Sequence, residues 1–131
     1  MSGIIIAALW GNLIYMNLRP SDDILEGWAE YTPAHFEQLM ATDEPVLVEI
    51  YASWCPTCLL QHKAFETLVD EGRAPRINAV RVDFERDVDF IQKHKFLGTG
   101  YLLIFRSGKE IKRASGLITS EKISQFLQGY Q

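Results

Sequence analysis

Residues 46–58 read VLVEIYASWCPTC, and this stretch decides the fold. Val46 to Tyr51 is a near-continuous apolar run, the pattern of a central strand buried on both faces. A helix is expected to start near Cys55, because Leu60, Ala64, Phe65 and Leu68 follow at helical spacing. Gly72 is the expected stop. The pentapeptide Trp54-Cys55-Pro56-Thr57-Cys58 therefore lies where a buried strand turns into a helix. The first N–H groups of a helix lack partners, and the helix dipole places partial positive charge there. A thiolate at Cys55 is stabilised by that environment, which makes Cys55 the expected attacking sulfur. Pro56 suits the first helical turn, where its missing N–H costs nothing. Cys58 lies one turn further in, within reach of a disulfide, and its expected role is to resolve a mixed disulfide by attacking Cys55.

Outward from this stretch, strand and helix signals alternate. Thr32-Pro33 reads as an N-cap followed by proline at the first helical position, opening a helix through Phe36 and Leu39 to about Ala41. Val80, Val82 and Phe84 alternate as a strand, and a short helix follows around Val88 and Ile91. Tyr101 to Phe105 reads as a strand, Ser107-Gly108 as a tight turn, and Glu110 to Ala114 as the antiparallel partner. Ser120 is the expected cap of a last helix with Ile123, Phe126 and Leu127 inside, ending near Gly129. This order predicts an α/β fold: a central mixed sheet flanked by helices on both faces.

The 131 residues suit one domain with a real core, and 47% of them are hydrophobic. The formal net charge is -4 and no basic stripe is visible, which speaks against a nucleic-acid partner. The two cysteines enclose too short a loop for a disulfide to restrain the unfolded chain much. The pair therefore reads as chemical rather than architectural, and by itself it does not report the compartment.

Residues 3–18 (GIIIAALWGNLIYMNL) are uncharged and mostly apolar. A membrane-spanning helix needs roughly 20 such residues. The run is slightly short, Asn12 and Asn17 weaken it, and it lacks the basic start and cleavage site of a signal peptide. Two readings stand: a membrane anchor, or an extra element packed on the domain. The expected division is an apolar segment at 1–20, a linker at 21–30 and a domain at 31–131. The anchor reading associates residues 3–18 with a membrane and places the domain in an extracytoplasmic, periplasmic-type space. The other reading leaves it cytoplasmic.

The chain resembles the thioredoxin family from about Tyr31 to Gln131. The resemblance rests on VLVEIYASWCPTC, the strand VRVDF, YLLIFRSGKE and Gly116 before the last helix, in that order. It implies a thioredoxin-like fold and a thiol–disulfide oxidoreductase that exchanges disulfides with protein substrates. It also implies a protein electron donor or acceptor, no cofactor beyond the redox-active disulfide, and a monomer. Cys55 carries over as nucleophile and Cys58 as resolving thiol. Trp54 matches the family's tryptophan beside the active site. Trp54, Pro56, Thr57, Thr99 and Gly100 form the expected substrate-facing set.

Glu49 interrupts the apolar strand. Pointing inward, it is a buried carboxylate with a raised pKa, able to accept the proton of Cys58 directly or through water. The other reading is a carboxylate that reaches solvent at a sheet end. The family usually has Asp at the matching position. Three further residues depart from the family's commonest pattern. Leu59 stands where a basic residue is frequent, and Lys63 stands where a kinking proline is frequent. Gly100 aligns with the family's cis-proline, and a trans bond is expected there. Losing that ring is expected to loosen the chain, uncover the sulfurs and weaken substrate binding. An alternative therefore stays open: a thioredoxin-fold binding module, or a metal or iron–sulfur module, with weak redox turnover. Cys55, Cys58 and His62 form C-x2-C-x3-H, but structural zinc needs four ligands. His35 and His94 lie in other predicted helices, so no metal site is assigned.

Overall fold

The computed structural model describes residues 24–131. Five strands and four helices follow in order: β1 (Trp28–Glu30), α1 (Pro33–Met40), β2 (Val46–Tyr51), α2 (Pro56–Asp70), β3 (Asn78–Asp83), α3 (Val88–Lys93), β4 (Tyr101–Arg106), β5 (Lys109–Ser115) and α4 (Ser120–Leu127). The sheet order is β1-β3-β2-β4-β5. The first three of these strands run parallel, β4 runs antiparallel to β2, and β5 runs antiparallel to β4.

β2 is the central strand, and every one of its residues is buried. Its alternation splits the core in two. Val46, Val48 and Ile50 join Val80, Val82, Phe90 and Phe105 on the face covered by α1 and α3. Leu47 joins Phe65, Leu68, Ile123 and Leu127 on the face covered by α2 and α4. Both faces are apolar, which explains why the strand reads as one apolar run interrupted only by Glu49. Fully burying one such side chain contributes about 1.5–3 kcal/mol. The mixed sheet with helices on both faces is therefore as expected.

The hairpin also matches its sequence. Ser107 (φ 53) and Gly108 (φ 81) are both left-handed, as a two-residue turn with positive φ at both positions requires.

Local expectations need correction at a few places. Residues 28–30, read as the end of a linker, form the edge strand β1. Trp28 packs edge-on against Phe65 of α2 at 5.0 Å, and the parallel ladder with β3 holds the strand to the sheet. Three residues are too few to carry an alternation signal. The cap of α4 is Thr119 rather than Ser120: the Thr119 hydroxyl accepts the Lys122 N–H at 3.3 Å, and Ser120 is the first helical residue. Leu60 and Val88 keep helical spacing but are each 48% exposed. The segment 3–18 lies outside the described residues. Among those described, no helix is long and apolar enough to cross a membrane.

Candidate active site

The site is built by the way β2 hands over to α2. Beyond Tyr51 the chain turns, and the Cys55 N–H donates to the Ala52 carbonyl at 3.1 Å. Cys55 then sits as the N-cap of α2 in extended conformation (φ -89, ψ 111), with Pro56 in the first turn. Its Sγ accepts the backbone N–H of Cys58 at 3.1 Å. One of the otherwise unpartnered N–H groups of the helix start therefore points at the sulfur, as the sequence predicts.

Both cysteines are free thiols and both are buried. Cys55 retains 4% exposure and Cys58 none, so Cys55 is the more accessible residue of the pair. The Cys58 thiol faces the Ile50 carbonyl at 3.8 Å. Burial pushes the Cys58 thiol up to about 12. The hydrogen bond to Cys55 adds to the rise, as do the nearby charges of Cys55 and Glu49, while a backbone contact with Ala52 opposes it. Cys58 is thus held as a protonated reserve, and it needs a proton acceptor before it can attack.

Glu49 points inward, with 3% exposure. It lies on the α2 face of β2, in register with Arg81 on β3 and Leu102 on β4. Burial raises its carboxyl to about 7, against the pull of the Arg81 charge and with a small push from Glu30. The reading of Glu49 as a carboxylate reaching solvent is therefore excluded. A buried acid that titrates near neutrality, electrostatically coupled to a buried thiol, is suited to proton transfer.

Gly100 departs from expectation most. No peptide bond among the described residues is cis. Gly100 is buried, its N–H donates to the Ile50 carbonyl at 2.9 Å, and its own carbonyl accepts the Gly116 N–H at 3.1 Å. The chain is thus pinned rather than loosened, and the sulfurs stay covered. Its φ of +83 suits glycine, and a Cβ there would lie 3.0 Å from the Thr57 methyl. A side chain at this position is therefore strained by the positive φ and crowds the Thr57 methyl. One carbonyl, that of Ile50, faces both the Gly100 N–H and the Cys58 thiol.

The remaining predicted residues surround this centre. Trp54 is 57% exposed; its indole N–H donates to the Glu85 carboxylate and its ring stands edge-on to Phe84 at 6.4 Å. Pro56 is exposed, while Thr57 and Thr99 are half-buried. Leu59 is half-buried, and α2 runs unbroken through Lys63. His62 is buried and directs Nε2 to Glu66 at 3.0 Å, away from any shared ligand role with the cysteines. Among the described residues, no three His, Cys, Asp or Glu side chains cluster to hold a metal. His94 is half-buried and packs on Phe90 at 4.3 Å.

Arg81 was not singled out by the sequence reading. The signal was present: a charged residue in VRVDF falls on the alternate positions to Val80 and Val82, the same parity that places Glu49 in β2.

Residues 27–129 match the family model Thioredoxin. Over 93 residues the chain is 31% identical to Thioredoxin X, chloroplastic, of Arabidopsis thaliana, covering 70% of this chain and 50% of that one. It is 30% identical over 98 residues to Thioredoxin Y1, chloroplastic, of the same plant, covering 71% and 54%. The chain thus spans about half the length of these relatives. The crystal structure of Trxlp from Edwardsiella tarda EIB202 superposes with a TM-score of 0.66 at 30% identity, covering 76% of this chain and 97% of that one. The match over most of the chain, the shared fold and the Cys55–Cys58 pair at the helix start agree, and the chain belongs to the thioredoxin family.

Proposed function

We propose that this domain exchanges disulfides with protein substrates through Cys55 and Cys58, with Glu49 as proton acceptor. The Cys55 thiolate attacks one sulfur of a substrate disulfide. A Cys55–substrate disulfide forms, and the other substrate sulfur leaves as a thiolate. Cys58 then gives its proton to Glu49 and attacks the Cys55 sulfur. The Cys55–Cys58 disulfide forms and the second substrate thiolate leaves, so two electrons pass to the substrate. In reverse, the same steps oxidise a substrate dithiol. A protein electron donor or acceptor resets the couple, and the chemistry needs no cofactor.

The observation that carries this reading is the Cys55 sulfur at the N-cap of α2, accepting the Cys58 N–H. Mixed-disulfide formation also relieves the site. Once Cys55 is bonded to substrate its charge is gone, and one of the influences that keep Cys58 protonated disappears. Trp54, Pro56, Thr57, Thr99 and Gly100 supply the surface on which the substrate rests. Equilibration of the Cys55–Cys58 couple with glutathione buffers tests the proposal. A single two-electron transition supports it, and a pair that stays reduced throughout the glutathione range overturns it. The potential also gives direction: about -270 mV marks a reductant, about -120 mV an oxidant.

The anchor reading of residues 3–18 is a proposal from sequence alone, with the domain in an extracytoplasmic space. Fractionation of the full chain with membranes supports it. Recovery in the soluble fraction without detergent overturns it.

A further inference from the structure

A row of charge crosses the sheet beneath the start of α2. Glu30 on β1, Arg81 on β3 and Glu49 on β2 are consecutive register partners. The guanidinium of Arg81 lies over the Tyr51 ring at 4.2 Å. Its Nε donates to Glu30 Oε1 at 3.1 Å, and Nη2 donates to the same oxygen. The other oxygen, Glu30 Oε2, accepts from Arg86 Nη2 at 3.2 Å. Arg86 in turn pairs with Asp87 at 3.0 Å. The row therefore runs from the solvent edge, where the Glu30 side chain is 37% exposed, to the fully buried surroundings of Cys58.

Arginine does not release its proton in proteins, so Arg81 carries a fixed charge between two carboxylates. What the charge does for Glu49 depends on where the guanidinium rests. Two of its donors rest on Glu30. We propose that Glu30 is a positioning residue: by pairing with Arg81 it holds the guanidinium and offsets its charge, and so sets the pH at which Glu49 ionises. The other titratable groups on this face include Cys58 from α2, which bears on Glu49 when ionised, and Tyr51 and Asp83, the register pair two residues along β2 and β3. From β4 it meets Leu102, and α4 contributes Ile123, Phe126 and Leu127 to this face; all four are uncharged. Arg81 is thus the fixed positive charge of the row nearest Glu49, and Glu30 is the carboxylate paired with it. The consequence for exchange rests on the proposed role of Glu49 as acceptor for Cys58.

The test is a carbon-detected NMR titration of the Glu49 carboxyl in the full chain, in the disulfide form, where no thiol titrates. Glu30→Gln keeps an oxygen for Arg81 and removes the opposing charge. The Glu49 midpoint is expected to fall by about one pH unit. Arg81→Gln is expected to move it the opposite way. An unmoved or raised midpoint in Glu30→Gln overturns the proposal, and this arm decides alone if Arg81→Gln does not fold. The pH profile of mixed-disulfide resolution separates the two ideas. If the midpoint falls but the acid limb of the profile stays, Glu30 sets Glu49 as proposed, and Glu49 is not the acceptor for Cys58.

Discussion

Replacing Gly100 by proline restores the residue common in the family, and the structure predicts that it damages this protein. Proline fixes φ near -65°, whereas Gly100 sits at +83, so the backbone must turn by about 150°. Proline also has no N–H, so the 2.9 Å bond to the buried Ile50 carbonyl is lost. The carbonyl keeps only the Cys58 thiol, a weak donor at 3.8 Å, so the loss costs about 1 kcal/mol. Proline cannot adopt a positive φ, so the misfit costs at least the ~1–2 kcal/mol that an ordinary residue bears in the left-handed region. Gly100→Pro is therefore expected to destabilise the reduced chain by at least about 2 kcal/mol. Gly100→Ala keeps the N–H and bears only the backbone term and the 3.0 Å contact with the Thr57 methyl. Thr57→Ser removes that methyl. The double variant Gly100→Ala/Thr57→Ser should recover the steric part of the loss and leave about 1–2 kcal/mol of backbone strain. Urea unfolding of the four chains measures all of these, with insulin reduction run alongside. A Gly100→Pro chain as stable as the parent, with a lower Michaelis constant for insulin, would refute the reasoning.

Three further outcomes follow from the site and its supports. Glu49 is raised in the fold from 4.5 to about 7, so the folded state holds this proton more tightly. Its contribution to stability is complete below pH 4.5 and is lost as pH rises to about 7, amounting to about 3 kcal/mol. Urea midpoints of parent and Glu49→Gln should therefore diverge between pH 5 and pH 8, with the variant gaining on the parent; parallel curves would contradict a buried Glu49. The same substitution should prolong the mixed disulfide in stopped-flow traces at neutral pH more than it slows its formation, and equal lifetimes would remove Glu49 from the chemistry. Thr119→Ala should cost about 1 kcal/mol by urea unfolding through loss of the α4 cap, while Ser120→Ala should not lose that capping contribution.

Legibility followed the strength of the local signal. Val46–Tyr51 was readable because a strand buried on both faces has no polar alternation to obscure it. The Cys55 cap was readable because proline at the next residue marks a helix start. β1 was not, since three residues at a sheet edge draw their stability from pairing with β3 and from the Trp28 contact with Phe65 rather than from any pattern of their own. Thr119 and Ser120 are both good caps, and only the hydrogen bond to Lys122 separates them. The role of Gly100 is not legible in the sequence, because it depends on φ and on distant partners at Ile50, Thr57 and Gly116. The charge row was hidden for the same reason: Glu30 and Arg81 are 51 residues apart and meet only through strand register.

The division of labour between the two cysteines is tested most directly by trapping. Cys58→Ser and Cys55→Ser chains, reduced and mixed with an excess of a protein disulfide, are read by intact mass and peptide mapping. The account predicts a one-to-one covalent adduct through Cys55 in Cys58→Ser and no adduct in Cys55→Ser. An adduct that forms through Cys58 in Cys55→Ser, with none in Cys58→Ser, would contradict it.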